Sequence, residues 1–129
     1  MTVYVCLDDR NGMLFNKRRQ SRDIKVLEDI RKSADVLTID PFSEKLIQEA
    51  EIPYALAPEE IPEDAHFFAE ARDLSGLLPR ASKLVIYRWN RHYPADVRFE
   101  GDLSGFRLES REEFPGKSHE IITKEVYTV

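Results

Sequence analysis

Apolar positions along the chain fall into short runs separated by polar clusters. Val3-Tyr4-Val5-Cys6-Leu7 is apolar and rich in β-branched residues, and it stops at Asp8-Asp9-Arg10-Asn11-Gly12. That combination predicts a buried strand followed by a loop. The period then changes: Ile24, Val26, Leu27 and Ile30 share one face of a helix over residues 23–31, with Ser21 as candidate N-cap and Asp23 in the first turn. Residues 36–39 predict a second buried strand, stopped by Asp40 and Pro41. A helix over 43–50 follows, then a strand at 54–56, a strand at 66–69, a short helix over 74–78 and a strand at 84–87. Pro53, Pro58 and Pro62, with Glu59, Glu60, Glu63 and Asp64, mark the stretch before residue 66 as an acidic connector. Beyond residue 90 only strand patterns remain, at 97–99, 106–110 and 121–127. The last two have no helix between them and pair as an antiparallel hairpin. Strand–helix alternation with a β-rich tail predicts an α/β fold: a mostly parallel central sheet, an antiparallel C-terminal hairpin and flanking helices.

A length of 129 residues predicts one domain, 1–129, large enough for its own core. The net charge of −5 argues against nucleic acid or a membrane surface as a general partner. The apolar runs are too short to span a bilayer. Met1-Thr2-Val3-Tyr4 enters a strand pattern without the regions of a signal peptide. Cys6 stands alone, so no intramolecular disulfide forms, and a reducing, cytoplasmic setting is expected.

The order of elements and several short motifs resemble dihydrofolate reductase. Val3 to Leu7, the Asp9-Arg10-Asn11-Gly12 loop and the helix from Asp23 stand where that family has its first strand, flexible loop and substrate helix. Residues 36–47 resemble the strand, turn and helix that meet the cofactor phosphate. Leu77-Leu78-Pro79-Arg80-Ala81-Ser82-Lys83-Leu84 is similar to the helix end and strand start after the family's glycine pair. Tyr93-Pro94-Ala95-Asp96-Val97-Arg98-Phe99 resembles its short acidic turn, and Leu103 to Leu108 with Glu112-Glu113-Phe114 and Val126-Tyr127 its terminal hairpin. The resemblance implies the family's α/β fold and a pterin-binding acid, for which Asp23 is the match once a small deletion is allowed.

The departures fall on the cofactor side. The family's adjacent glycines let backbone approach a pyrophosphate at a helix N-terminus; here the segment is Ala69-Glu70-Ala71. The family's phosphate-binding arginine after the second strand is replaced by Asp40-Pro41. A carboxylate ~4 Å from a phosphate costs about 1–4 kcal/mol per charge pair in a wet site. The expectation is therefore no NADPH bound in the family manner, and no other cofactor. The family's tryptophan before the substrate helix is also absent, with Arg18-Arg19-Gln20 in its place.

Candidate site residues follow. Asp23 reads either as a buried carboxylate for a pterin-like amidine edge or as a helix acid favoured by the macrodipole. Asn16, Lys17, Arg18, Arg19 and Arg22 form the main cationic run. At a predicted helix N-terminus it suits a small anionic ligand, and otherwise it is a solvated loop. Tyr87-Arg88-Trp89-Asn90-Arg91-His92-Tyr93 interleaves cations with aromatics, as in a base-stacking surface, or equally as in an amphipathic strand end. His66, His92 and His119 have no metal-ligand spacing. His119 with Glu120, or His92 with Arg91, would be the acid and base of a metal-free ribonuclease. The expected function is a non-catalytic or repurposed module that binds a small anionic, pterin- or nucleotide-like ligand. The alternatives are a pterin oxidoreductase with another hydride donor, or a module that contacts RNA or protein.

Overall fold

Val3, Val5 and Leu7 are fully buried on one side of strand β1 (Thr2–Leu7), and Tyr4 is buried on the other. In the computed structural model, which describes residues 1–129, β1 is central to the sheet. It pairs in parallel with β6 (His66–Ala69) and β7 (Lys83–Arg88). Outward from β6 lie β4 (Leu37–Ile39) and β5 (Tyr54–Leu56), also parallel. Outward from β7 lie β10 (Ile122–Thr128) and the edge strand β9 (Arg107–Phe114), both antiparallel to their neighbours. The resulting order is β5-β4-β6-β1-β7-β10-β9, seven strands in one sheet. Continuous apolar runs suit the strands buried on both faces. The edge β9 carries Arg107, Glu109, Arg111, Glu112 and Glu113, charges that discourage further strand pairing.

Alternation along the strands divides the core. Val3, Val5, Leu7, Phe67, Leu84 and Ile86 face Leu74, Leu77, Leu78 and Ile61 on one side. Tyr4, Phe68, Val85, Tyr87, Leu37 and Ile39 face α1 (Ile24–Ser33) and α2 (Glu44–Glu49) on the other. Val26, Leu27 and Ile30 are the buried stripe of α1, as their spacing predicts.

Four local expectations change. The helix expected over 74–78 is a single turn, in which Leu77 and Leu78 both donate to the Leu74 carbonyl, followed by a 3₁₀ turn at Leu78–Arg80. Gly76 and Pro79 within five residues prevent propagation. The N-cap of α1 is Asp23 rather than Ser21, its side chain accepting from the Lys25 N–H. The cationic run is not a helix N-terminus: it forms a hairpin of β2 (Gly12–Phe15) and β3 (Arg18–Arg19). Asn16 and Lys17 turn the corner at φ 52° and 62°, the left-handed pair of a two-residue hairpin loop. Finally, residues 97–99 contribute β8 (Val97–Arg98), which pairs with β2 in a separate three-stranded sheet. No helix is long and apolar enough to cross a membrane.

Candidate functional site

A narrow cleft opens beyond the carboxyl ends of β1 and β6, the place where open parallel sheets accept ligands. Cys6, Phe68 and Ala69 from the strands, Val26 and Leu27 from α1, Leu46 from α2, and Trp89 form its apolar walls. Arg19, Gln20, Ser21, Arg22, Asp23 and Glu70 form its polar rim. Its mouth is open to solvent, and its interior has room for about one water molecule. It is therefore a slot. Burial holds the Cys6 thiol well above its ordinary pKa, and such a thiol is a poor nucleophile.

Asp23 sits at the inner end of this rim, almost wholly buried. Its Oδ1 accepts from the backbone N–H groups of Lys25 at 2.9 Å and Lys117 at 3.0 Å. Its Oδ2 accepts from the Ser118 N–H at 2.8 Å and His119 Nδ1 at 2.9 Å. A carboxylate has about four acceptor sites, and all four are used. Burial pushes the Asp23 carboxyl upward, but the donors from His119, Lys117, Lys25 and Ser118 outweigh it and hold the pKa at about 2. Asp23 thus has no lone pair left for an amidine edge. Its environment caps a helix and pins the β9–β10 loop.

That loop can approach so closely because residue 116 is glycine. A β-carbon there would stand 2.6 Å from Asp23 Oδ2 and 2.7 Å from the His119 carbonyl. Gly116→Ala is expected to push the loop off the carboxylate and to cost about 1–3 kcal/mol. Urea unfolding measures the loss, and a shift of the His119 ring resonances locates it.

His119 is itself buried and stacks on Trp89, with centroids 4.5 Å apart and planes inclined by 19°. With Nδ1–H committed to Asp23, its Nε2 accepts, and two hydroxyls reach it: Ser21 Oγ at 3.0 Å and Tyr93 Oη at 3.1 Å. Sequence reasoning paired His119 with Glu120, but the structure brings it to Ser21 and Asp23, 98 and 96 residues away. Nothing in the local pattern signals that meeting, which depends on where the β9–β10 loop folds back.

The remaining candidates separate. Lys17 and Arg18 are exposed at the hairpin tip, and neither has a carboxylate partner. Arg19 turns inward and donates to both oxygens of Glu70, at 2.7 and 2.8 Å, and Ser43 Oγ donates to the same carboxylate at 2.7 Å. Arg22 makes an exposed pair with Glu49 at 3.0 Å. The Asn16 N–H donates to Asp96 at 3.0 Å. A broad groove beside the slot is lined by Lys17, Arg18, Arg19, Arg22 and Lys45, with Glu49 as its one acid. Lys45 is a member of this cluster that the sequence did not single out. Its place on α2 joins the hairpin only in three dimensions.

On the cofactor side, Asp40 is held by Arg72 through two bonds of 2.6 and 3.1 Å. Asp40 and Glu70 were expected to present bare negative charge. Each instead has its own guanidinium, so two ion pairs stand at the ends of β4 and β6. In the Tyr87–Tyr93 segment Tyr87 is buried with its hydroxyl on Asp29 at 2.6 Å and Trp89 lies under His119, which leaves exposed His92 and half-buried Tyr93 as its accessible rings. No group of three or more His, Cys, Asp or Glu side chains converges as for a metal.

Gln20 carries one further mark. Its Nε2 donates to Asp8 Oδ2 and to the Pro94 carbonyl, both at 3.1 Å, which fixes the amide orientation. Its Oε1 is left buried without a donor.

No family model and no curated protein matches this chain. Among solved structures, the dihydrofolate reductase of Enterococcus faecalis, complexed with NADP(H) and RAB-propyl, is similar with a TM-score of 0.73. The match covers 98% of this chain and 94% of that one at 10% sequence identity. The fold of this chain is dihydrofolate reductase-like.

Proposed function

We propose that this domain binds a small anionic ligand in the groove between the β2–β3 hairpin and α2, and that it does not use NADP(H) in the manner of the reductases whose fold it shares. The observation that carries this reading is charge placement. In a chain of net charge −5, five cations line one groove whose lining holds a single acid, and only Arg19 among them is held by a carboxylate from outside it, Glu70. Lys17, Arg18 and Lys45 have no carboxylate partner, and the Arg22–Glu49 pair is exposed. Such a pair is worth only about 0–1 kcal/mol, so a phosphate or carboxylate can take the guanidinium at little cost.

The test is a thermal-shift series with inorganic pyrophosphate, citrate and a nucleoside monophosphate, followed by calorimetry on any that raises Tm. Arg18→Glu and Lys45→Glu each replace an attractive charge with a repulsive one. Each should weaken binding at least tenfold, with a loss that shrinks as salt rises. No shift with any of these anions, or an affinity untouched by both reversals, would overturn the assignment. A pterin reading centred on Asp23 has little support, because that carboxylate has no acceptor site free.

A further inference from the structure

We propose that Ser21 is a nucleophile, with His119 as its general base and Asp23 as the positioning residue, for acyl transfer from an ester or thioester bearing a negative charge. The nucleophile rests on geometry alone. The charge on the substrate rests on the anion-binding reading above.

Three places in the fold meet at this point: the β3–α1 link supplies Ser21, the N-cap of α1 supplies Asp23, and the β9–β10 loop supplies His119. The contacts are 3.0 Å from Ser21 Oγ to His119 Nε2 and 2.9 Å from His119 Nδ1 to Asp23 Oδ2. Both lie within the reach required of a nucleophile, its base and the group that orients the base. Asp23 fixes the tautomer by accepting the Nδ1 proton, which leaves the Nε2 lone pair toward the serine, the arrangement that serine hydrolases of unrelated folds share. Asp23 is held in turn by three backbone N–H groups, and the Trp89 stack fixes the imidazole plane. Here the base and the acid are buried, whereas Ser21 is half-buried and lines both the slot and the cationic groove. Tyr93 Oη lies 3.1 Å from the same Nε2 and 3.4 Å from Ser21 Oγ. When Ser21 donates to the imidazole, Tyr93 can donate to Ser21.

The step balances without an outside oxidant or reductant. Ser21 Oγ forms a bond to the acyl carbon while its proton passes to Nε2. The bond from carbon to the leaving oxygen or sulfur breaks, and the leaving atom takes that proton. Water then attacks the acyl-serine, giving its proton to Nε2 and thence to Oγ, and the acid departs. The cations along the rim favour the negative charge that develops on the carbonyl oxygen.

The experiment exposes the folded full-length protein to an uncharged fluorophosphonate and maps the adduct by mass spectrometry. One adduct per chain is expected, on Ser21, absent in Ser21→Ala and formed at least tenfold more slowly in His119→Asn and in Asp23→Asn. The groups facing His119 are the Asp23 carboxylate, the Ser21 and Tyr93 hydroxyls and the Trp89 indole. Wild-type labelling should therefore slow at least ~1.5-fold in deuterium oxide, because the Ser21 proton passes to Nε2 as the new bond forms. His119→Asn can unfold the protein, so wild type in urea serves as a second reference. Labelling no faster in the folded protein than in urea, or unchanged in Ser21→Ala, overturns the nucleophile. A rate unchanged in deuterium oxide, or His119→Asn labelled as fast as wild type, overturns the base. Hydrolysis of p-nitrophenyl hemiglutarate should exceed that of p-nitrophenyl acetate at least tenfold, and equal rates overturn the substrate class. Because the fluorophosphonate is neutral, anion binding without labelling sinks this inference alone. Labelling without anion binding sinks the function proposed above.

Discussion

Asp23→Ala is expected to lower the unfolding free energy by about 3–5 kcal/mol, the range for removing a buried charge from its partners. The substitution strands four donors at once: two N–H groups of the β9–β10 loop, one of the first turn of α1, and His119 Nδ1. The cap alone is worth ~1 kcal/mol. The rest comes from donors buried without an acceptor. Asp23→Asn keeps a capping oxygen but turns an amide toward donors, so it should fall between alanine and wild type. The pH dependence gives a second check with a definite sign. The folded-state pKa of Asp23 is depressed to about 2, so its stabilisation is complete above the unfolded-state value near ~3.9 and is lost as pH falls toward 2. Wild type should lose on the order of 2 kcal/mol in that window, and Asp23→Ala should lose less. Some slope will persist in the variant, because buried Asp8 is also held low: its burial is outweighed by donors from Gly12, Arg10, Tyr93 and Gln20. Urea midpoints for the three proteins between pH 2 and 6 decide the matter. A variant within 0.5 kcal/mol of wild type, a shift no larger than an ordinary surface change produces, would mean that the loop does not depend on this carboxylate.

The parts of the molecule that the sequence made legible are those set by local pattern. Buried strands such as 3–7 and 84–87 and the apolar stripe of α1 follow from periodicity. The parallel sheet with its antiparallel tail follows from the order of elements. The β2–β3 hairpin escaped because its turn uses Asn16-Lys17 rather than a glycine, so the left-handed pair leaves no obvious mark. The site escaped for a different reason. Ser21 carries a helix-cap signal and Asp23 a first-turn signal, and both are ambiguous alone. His119 gives them a shared chemistry, and it comes from a loop at the far end of the chain. Charge was misread for the same cause: Glu70 and Asp40 were visible as acids, but Arg19 and Arg72, which neutralise them, arrive through tertiary folding.

NADP(H) titrated into this protein is expected to give no heat of binding below millimolar concentration. The surface just beyond the carboxyl ends of β4 and β6 is covered by the Asp40–Arg72 and Glu70–Arg19 pairs, both half-buried and bidentate. A phosphate entering there must take a guanidinium from a carboxylate already at 2.6–3.1 Å, and the displaced acid then lies beside it. That juxtaposition costs about 1–4 kcal/mol for each pair. With ~1.4 kcal/mol per tenfold, two pairs remove at least an order of magnitude and as much as several. Ala69-Glu70-Ala71 adds side chains where a backbone approach would be needed. Micromolar affinity would refute this account. The sign of the effect can be checked in the other direction. Glu70→Gln combined with Asp40→Asn frees Arg19 and Arg72 without changing shape, and the affinity of this surface for inorganic pyrophosphate should rise at least tenfold over wild type. If it does not, the ion pairs are bystanders, and the loss of the glycines alone would have to explain why the cofactor is excluded.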